Sequence, residues 1–157
     1  GYAADCAMTF AVGSISAEAR RLLDVTEQSL YAGIEAAQAG KRLGDVSAAI
    51  QRVVEKAGFW VIREFVGHGI GRDFHESPEV PNYGKRGRGT KLKTGLILAI
   101  EPMVNMGGRS IVQEADGWTI RNRDRKPSAH YEHTVAVLNG SPEILTTHKY
   151  LEELFKI

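Results

Sequence analysis

Two stretches of the chain repeat apolar residues at helical spacing. Leu23, Leu30, Ile34 and Ala37 recur at seven-, four- and three-residue steps behind Ser16, a good N-cap residue, and Gly40 breaks the run. The pattern predicts a helix from Ser16 to about Ala39. Val46, Ile50, Val53, Val54 and Ala57 gather on one side of a second predicted helix, with Asp45 as its N-cap and Gly58 closing it. Two amphipathic helices on a short linker are expected to lie antiparallel on one face of a sheet. Elsewhere, short runs rich in β-branched and aromatic residues predict strands over Cys6 to Val12, Phe59 to Val66 and Leu96 to Val104. Shorter ones are predicted at Trp118 to Ile120, His130 to Val137 and Ile144 to Thr146, with a turn of helix over Tyr150 to Lys156. With no internal repeat, linker or low-complexity segment, the expectation is one α+β domain over residues 1–157, its sheet mostly antiparallel.

Composition narrows the class without naming a chemistry. A chain of 157 residues, 43% hydrophobic and 25% charged, can bury a real core as one soluble domain. A net charge of +1 predicts no dominant pull toward nucleic acid, and no apolar run approaches the roughly 18 residues of a membrane span. The single cysteine, Cys6, rules out an internal disulfide framework and favours a reducing, cytoplasmic compartment. Lys85 to Lys93 holds five cations in nine residues, read as a solvated, glycine-loosened loop because no aromatic residues interleave the charges for stacking. Arg121 to Lys126 is also cation-rich. The opening Gly1-Tyr2-Ala3-Ala4-Asp5 reads like the inside of a hairpin, so a fragment of a longer protein is expected.

Candidate chemistry centres on Phe65 to Asn82. His68 lies among Gly67, Gly69 and Gly71, and His75 follows between Phe74 and Glu76. Glycine at every second position lets a backbone approach another group closely, which suits a histidine aimed into a tight site. A phosphate-cradling loop would need a helix opening on those glycines, whereas Pro78 and Pro81 follow. A core histidine and a metal or catalytic site both remain open on these residues. Glu101, inside an otherwise apolar strand, must be desolvated if that strand is buried, which costs several kcal/mol unless a cation compensates. An arginine partner or an edge strand marked by Pro102 would explain it more plainly. Glu132 poses the same question, and strict alternation puts it on one face with His130 while Tyr131 and His133 face the other way. Taken together, Asp5, His68, Glu101 and Glu132 make an oxygen-rich set with one imidazole, suited to Mn²⁺, Fe²⁺, Co²⁺ or Zn²⁺. Carboxylates able to bridge two ions suit a paired-metal hydrolytic site.

Three motifs then carry a resemblance: Gly67-His68-Gly69-Ile70-Gly71 with His75-Glu76-Ser77-Pro78, Ile100-Glu101-Pro102-Met103, and Ser128-Ala129-His130-Tyr131-Glu132-His133-Thr134. In this arrangement the chain closely resembles the type I methionine aminopeptidases, over nearly its whole length. The resemblance implies the pita-bread fold, two pseudo-symmetric halves around two divalent metal ions (Co, Mn, Fe or Zn), of which this chain corresponds to the C-terminal half. It implies that Asp5 and Glu132 bridge the two metals and that His68 and Glu101 complete the shell of the first. A metal-held hydroxide would attack the first peptide bond, Glu101 shuttling its proton and His75 stabilising the tetrahedral intermediate through the substrate's peptide group. Phe74 and Trp118 match aromatic residues lining the methionine pocket. The implied substrate is a peptide or nascent-chain N-terminus in the cytoplasm, with transient ribosome contact.

Two departures accompany the resemblance. The family's other metal-binding aspartate would fall upstream of Gly1, leaving the second metal's set incomplete, so the isolated chain is expected to be inactive without an upstream half. His130 stands where these enzymes more often carry glutamine, and it is read as lying behind the ligands or at the surface. Xaa-Pro peptidases share the implied fold and ligands but tend to carry glycine where Met103 stands. A non-catalytic half-domain acting as a binding module is the alternative from another class.

Overall fold

The structure, a computed structural model, describes residues 1–149, so the helical turn expected over Tyr150 to Lys156 lies outside the described residues. In chain order the elements are β1 (Cys6–Ala7), α1 (Ala17–Ala36), α2 (Leu43–Lys56), β2 (Trp60–Val61), β3 (Gly67–Gly69) and β4 (Glu76–Val80). Then come β5 (Ile97–Ile100), β6 (Met103–Asn105), β7 (Ile111–Gln113), β8 (Ile120–Asn122), β9 (Ser128–His130), β10 (Glu132–Ala136) and β11 (Glu143–Ile144). The architecture is α+β, as expected.

Both helices form where the apolar period places them, with corrected ends. Ser16 caps α1, its hydroxyl accepting from the Ala19 amide at 3.1 Å. The helix stops at Ala36, short of the expected Ala39, where the Ala37 amide turns back to the Ile34 carbonyl. Helix α2 begins earlier than expected, with Arg42 and not Asp45 at its N-cap. Asp45 caps from inside the first turn: its carboxylate accepts from the Arg42 amide at 2.9 Å, half of a capping box. That bond is the first reason its carboxyl sits below the usual range.

The helices pack on each other, α1 also against β5, β6, β9 and β10, and α2 against β2 and β4. Leu22, Leu30 and Ile34 of α1 and Val46, Ile50 and Val54 of α2 meet Leu98, Ile100, Val104 and Val135 in one buried cluster. Each such side chain contributes about 1.5–3 kcal/mol on burial, which holds the helical layer to the sheets.

A six-stranded sheet runs β1-β10-β5-β3-β4 with β11 also on β10. A three-stranded sheet runs β2-β6-β9, and β7-β8 form a separate hairpin. Every pairing among the described residues is antiparallel. Two strands expected to be continuous are broken. Leu96 to Val104 divides into β5 in the large sheet and β6 in the small one, with Glu101 and Pro102 between. His130 to Val137 divides at Tyr131 into β9 and β10, in the small and large sheets respectively. The two breaks are adjacent: Ile100 pairs with His133 on one side and Met103 with His130 on the other. Pro102 has no amide to give a ladder, and its carbonyl receives the Tyr131 amide as the strands change sheets. Because β5 lies inside its sheet, the edge-strand explanation for Glu101 fails.

Other strands shrink or shift for local reasons. Of Cys6 to Val12 only β1 pairs, and of Phe59 to Val66 only Trp60 and Val61. Asp116 ties the Trp118 and Thr119 amides into a turn, which delays β8 to Ile120. The strand expected at Ile144 to Thr146 starts one residue early as β11. Strands β3, β4 and β7 were not expected. β4 tolerates Pro78, with a cis Ser77–Pro78 bond, because it is the edge strand.

Candidate metal centre

The two sheet-switching breaks bring both glutamates to one place, and β3 and the residue before β1 bring His68 and Asp5 to it. His68 is the middle residue of β3, squeezed between β4 and β5. The squeeze requires its glycines: a Cβ on Gly67 would lie 2.3 Å from the Ala99 carbonyl oxygen, and one on Gly69 2.3 Å from that of Ser77. The His68 Nδ1 lies 2.9 Å from the Gly69 carbonyl, a bond it makes as the N–H donor, which turns a bare Nε2 toward the acids. Asp5 is fixed to β10 by Thr134, whose hydroxyl accepts the Asp5 amide and donates to the Asp5 carbonyl, both at 2.8 Å. The Asn82 side-chain amide, itself fully buried, donates to the Glu101 carbonyl at 3.0 Å and pins the switch.

Asp5, His68 and Glu132 each present a ligand atom within 4.8 Å of the others, and so do Glu101, His130 and Glu132. Glu132 belongs to both groups. Glu101 places one oxygen 3.6 Å from His68 Nε2 and the other 3.5 Å from His130 Nε2. These separations exceed ordinary hydrogen bonds. Two donors each about 2.1 Å from a shared ion stand about 3.0–3.6 Å apart at bond angles of 90–120°.

The electrostatics agree with a cation site. Glu132 is 3% exposed, and its Oε1 is buried with no hydrogen-bond partner. Burial, then the charges of Glu101 and Asp5, push its carboxyl up to about 8. Acids gathered this tightly repel one another unless a positive charge sits among them. The Cys6 thiol, beside them, is likewise pushed up by burial, then by Glu132 and Asp5. The chemistry of the donor set therefore fits divalent ions.

His75 packs its ring edge-on to His68 with centroids 4.3 Å apart, and Phe74 lies 5.9 Å from His68 and 4.9 Å from His75. Phe74 is 47% exposed, an aromatic surface open beside His68 and His75. Trp118 lies outside this ring cluster, 87% exposed at the turn of the β7-β8 hairpin. His130 is neither remote nor merely superficial: its Nε2 is buried against Glu101 and Glu132. Strict alternation did pair it with Glu132, although the break at Tyr131 removes the continuous strand on which that argument stood. Thr9, Asn82 and Thr134 were not foreseen as supports, and only Thr134 carried a signal, standing two residues beyond Glu132 on the same strand. His133 is buried elsewhere, its Nδ1 3.0 Å from the Thr146 hydroxyl and its ring 4.2 Å from that of His148. Burial, then His148, hold it down to about 4, so it is neutral in the folded protein.

Known proteins resemble this arrangement in sequence and in shape. The family model for metallopeptidase family M24 matches residues 1–139. A methionine aminopeptidase of Clostridium perfringens is 56% identical over 149 residues, 95% of this chain and 60% of that protein. The crystal structure of methionine aminopeptidase from Thermotoga maritima superposes with a TM-score of 0.91 at 45% identity, over 93% of this chain and 59% of that one. A prolidase from Pyrococcus furiosus shares the fold alone, with a TM-score of 0.69 at 21% identity over 93% of this chain and 37% of that one. The chain thus spans about 60% of the length of the methionine aminopeptidases it matches. The pita-bread architecture and use of divalent metal expected from the motifs follow: this chain belongs to metallopeptidase family M24.

Proposed function

We propose that the protein removes N-terminal methionine from peptides and nascent chains in a divalent-metal-dependent hydrolysis. The observation that carries the reading is the convergence of Asp5, His68, Glu101 and Glu132 on one place, with His75 at its side. The specificity rests on 56% identity to a methionine aminopeptidase, against 21% to a prolidase of the same fold.

Asp5, His68, Glu101 and Glu132 would hold the divalent ions. Such ions, when bound, lower the pKa of water toward neutrality and polarise a carbonyl. Glu101, its side chain 14% exposed beside His68, holds and relays a proton between attacking water and leaving amine. His75 donates to the substrate's peptide group, where negative charge develops as the tetrahedral centre forms. Phe74 offers an apolar wall to the first side chain. Trp118 serves as a second wall on the strength of the motif match, which requires the hairpin turn to lie against the substrate. On the same reading the enzyme works in the cytoplasm, touching the ribosome transiently.

The test uses the native-length protein, stripped of metal and reloaded with Co²⁺, Mn²⁺, Fe²⁺ or Zn²⁺ in turn. Release of methionine from a Met-Gly peptide, with Xaa-Pro peptides left intact and activity lost on chelation, is expected. Cleavage of Xaa-Pro peptides instead would overturn the specificity. Absence of any cleavage with every ion would leave the fold as a binding module.

A further inference from the structure

We propose that His130 is itself a metal ligand, a second imidazole that joins Glu101 and Glu132 in the same centre as Asp5 and His68. This rests on the reading that the centre holds divalent ions and adds a donor to it.

The argument begins with separations. His130 Nε2 lies 3.5 Å from Glu101 Oε2 and 4.0 Å from Glu132 Oε2. Both exceed the roughly 2.7–3.2 Å of an N–H···O bond. Two donors at about 2.1 Å from one ion stand 3.5 Å apart at a bond angle of about 113° and 4.0 Å apart at about 144°, within reach of a distorted four- or five-coordinate shell.

The second strand of the argument is the buried nitrogen. The His130 ring is 38% exposed, yet its Nε2 is buried and has no hydrogen-bond partner. A histidine whose edge meets solvent while its unpartnered nitrogen faces two carboxylates is oriented for a cation between them.

The third is the way its backbone is held. The Thr9 hydroxyl accepts the His130 amide at 2.9 Å and donates to the His130 carbonyl at 2.8 Å, and His130 pairs with Met103 across β6. Thr134 holds Asp5 by the same double bond. Glu101 is thereby flanked by two imidazoles, one at each oxygen.

The donor set becomes two imidazoles and three carboxylates. Relative to a site with glutamine at this position, the extra nitrogen favours borderline ions such as Zn²⁺ and Co²⁺ over the harder Mn²⁺.

The test compares native-length wild type with His130→Gln and Glu132→Ala, each stripped by chelation and titrated with Zn²⁺ alone and Mn²⁺ alone by calorimetry. Co²⁺ binding is followed by its visible absorption. His130→Gln is expected to lose at least tenfold in affinity for the weaker of two Zn²⁺ ions, to change Mn²⁺ affinity less than threefold, and to alter the Co²⁺ spectrum. Unchanged Zn²⁺ affinity together with an unchanged Co²⁺ spectrum overturns the proposal while leaving the metallopeptidase reading intact, provided Glu132→Ala abolishes uptake. Wild type that takes up no ion overturns both. Should His130→Gln fail to fold by circular dichroism, zinc X-ray absorption of wild type at two equivalents decides, since two imidazoles per ion pair support the ligand and one refutes it.

Discussion

Adding one methyl group at each of three glycines around His68 should give unequal results. An alanine Cβ at position 67 would lie 2.3 Å from the Ala99 carbonyl oxygen, and at position 69 2.3 Å from that of Ser77, both backbone atoms of paired strands. Ordinary contact begins near 3.4 Å, so β3 must retreat from β5 or β4 by about 1 Å. A ladder bond of about 2.9 Å stretched that far ceases to be a hydrogen bond. Losing two such bonds at about 1 kcal/mol each, with about 1–2 kcal/mol of overpacking, gives a destabilisation of about 3–4 kcal/mol for Gly67→Ala or Gly69→Ala. The displacement carries His68 with it and should weaken Zn²⁺ binding by about 10- to 100-fold. At Gly71 the methyl would instead meet the Glu76 carboxylate at 2.6 Å, the free end of a flexible side chain. That carboxylate can swing aside, giving up its 3.0 Å bond from the Asp73 amide, for about 1 kcal/mol. Urea unfolding of the three variants in chelator, followed by Zn²⁺ titration, measures both effects. If Gly71→Ala proves as damaging as Gly69→Ala, or if the two strand variants match wild type in stability and Zn²⁺ affinity, close strand approach is not what these glycines serve.

Further outcomes follow from the buried titratable groups and the core. Stripped of metal, the protein should lose stability as pH rises from about 4.5 to about 8, because the folded pKa of Glu132 lies above its ordinary 4.5 and over that window only the folded state keeps the proton. Zn²⁺ or Glu132→Gln should flatten that fall in thermal melts between pH 5 and 8, and a persistent slope would contradict it. His133 has the opposite sign. Its folded pKa of about 4 lies below the ordinary 6.5, so stability present above 6.5 is lost as pH falls through 4, by roughly 3 kcal/mol at most. His133→Gln should remove that portion of the acid dependence in urea unfolding at pH 7 and 4.5. Leu98→Ala, at a site with no exposure beneath α1, should cost about 2–5 kcal/mol in the same assay. Trp118→Ala should leave stability within about 0.5 kcal/mol of wild type and raise KM for a Met-Gly peptide, and an unaltered KM would remove Trp118 from the pocket.

The helices were legible because burial on one side imposes the period of Leu23, Leu30 and Ile34, and of Val46, Ile50 and Val54, on the sequence. Their ends were less so: an aspartate caps equally well from Ncap or from the third helical position, and only the Arg42 amide tells which. Glu101 and Glu132 stood out because a carboxylate inside an apolar run needs a reason to be there. What the apolar run concealed was the break itself. Leu96 to Val104 reads as one strand since both halves are buried, though in different sheets, and Pro102 was the local sign that the ladder stops. The orientation of His130 depends on Thr9, 121 residues away in the chain, and no local pattern encodes so distant a clamp.

Two neighbouring segments cross between the larger and the smaller sheet at the same level, in opposite directions, and the acids stand at that crossing. Any rotation of one sheet against the other would pivot on this seam and shift His130, on the smaller sheet, relative to Glu132, on the larger. An ion lodged there would act as a rivet through both sheets, so that metal uptake would also stiffen the joint and quiet the swinging of one layer relative to the other.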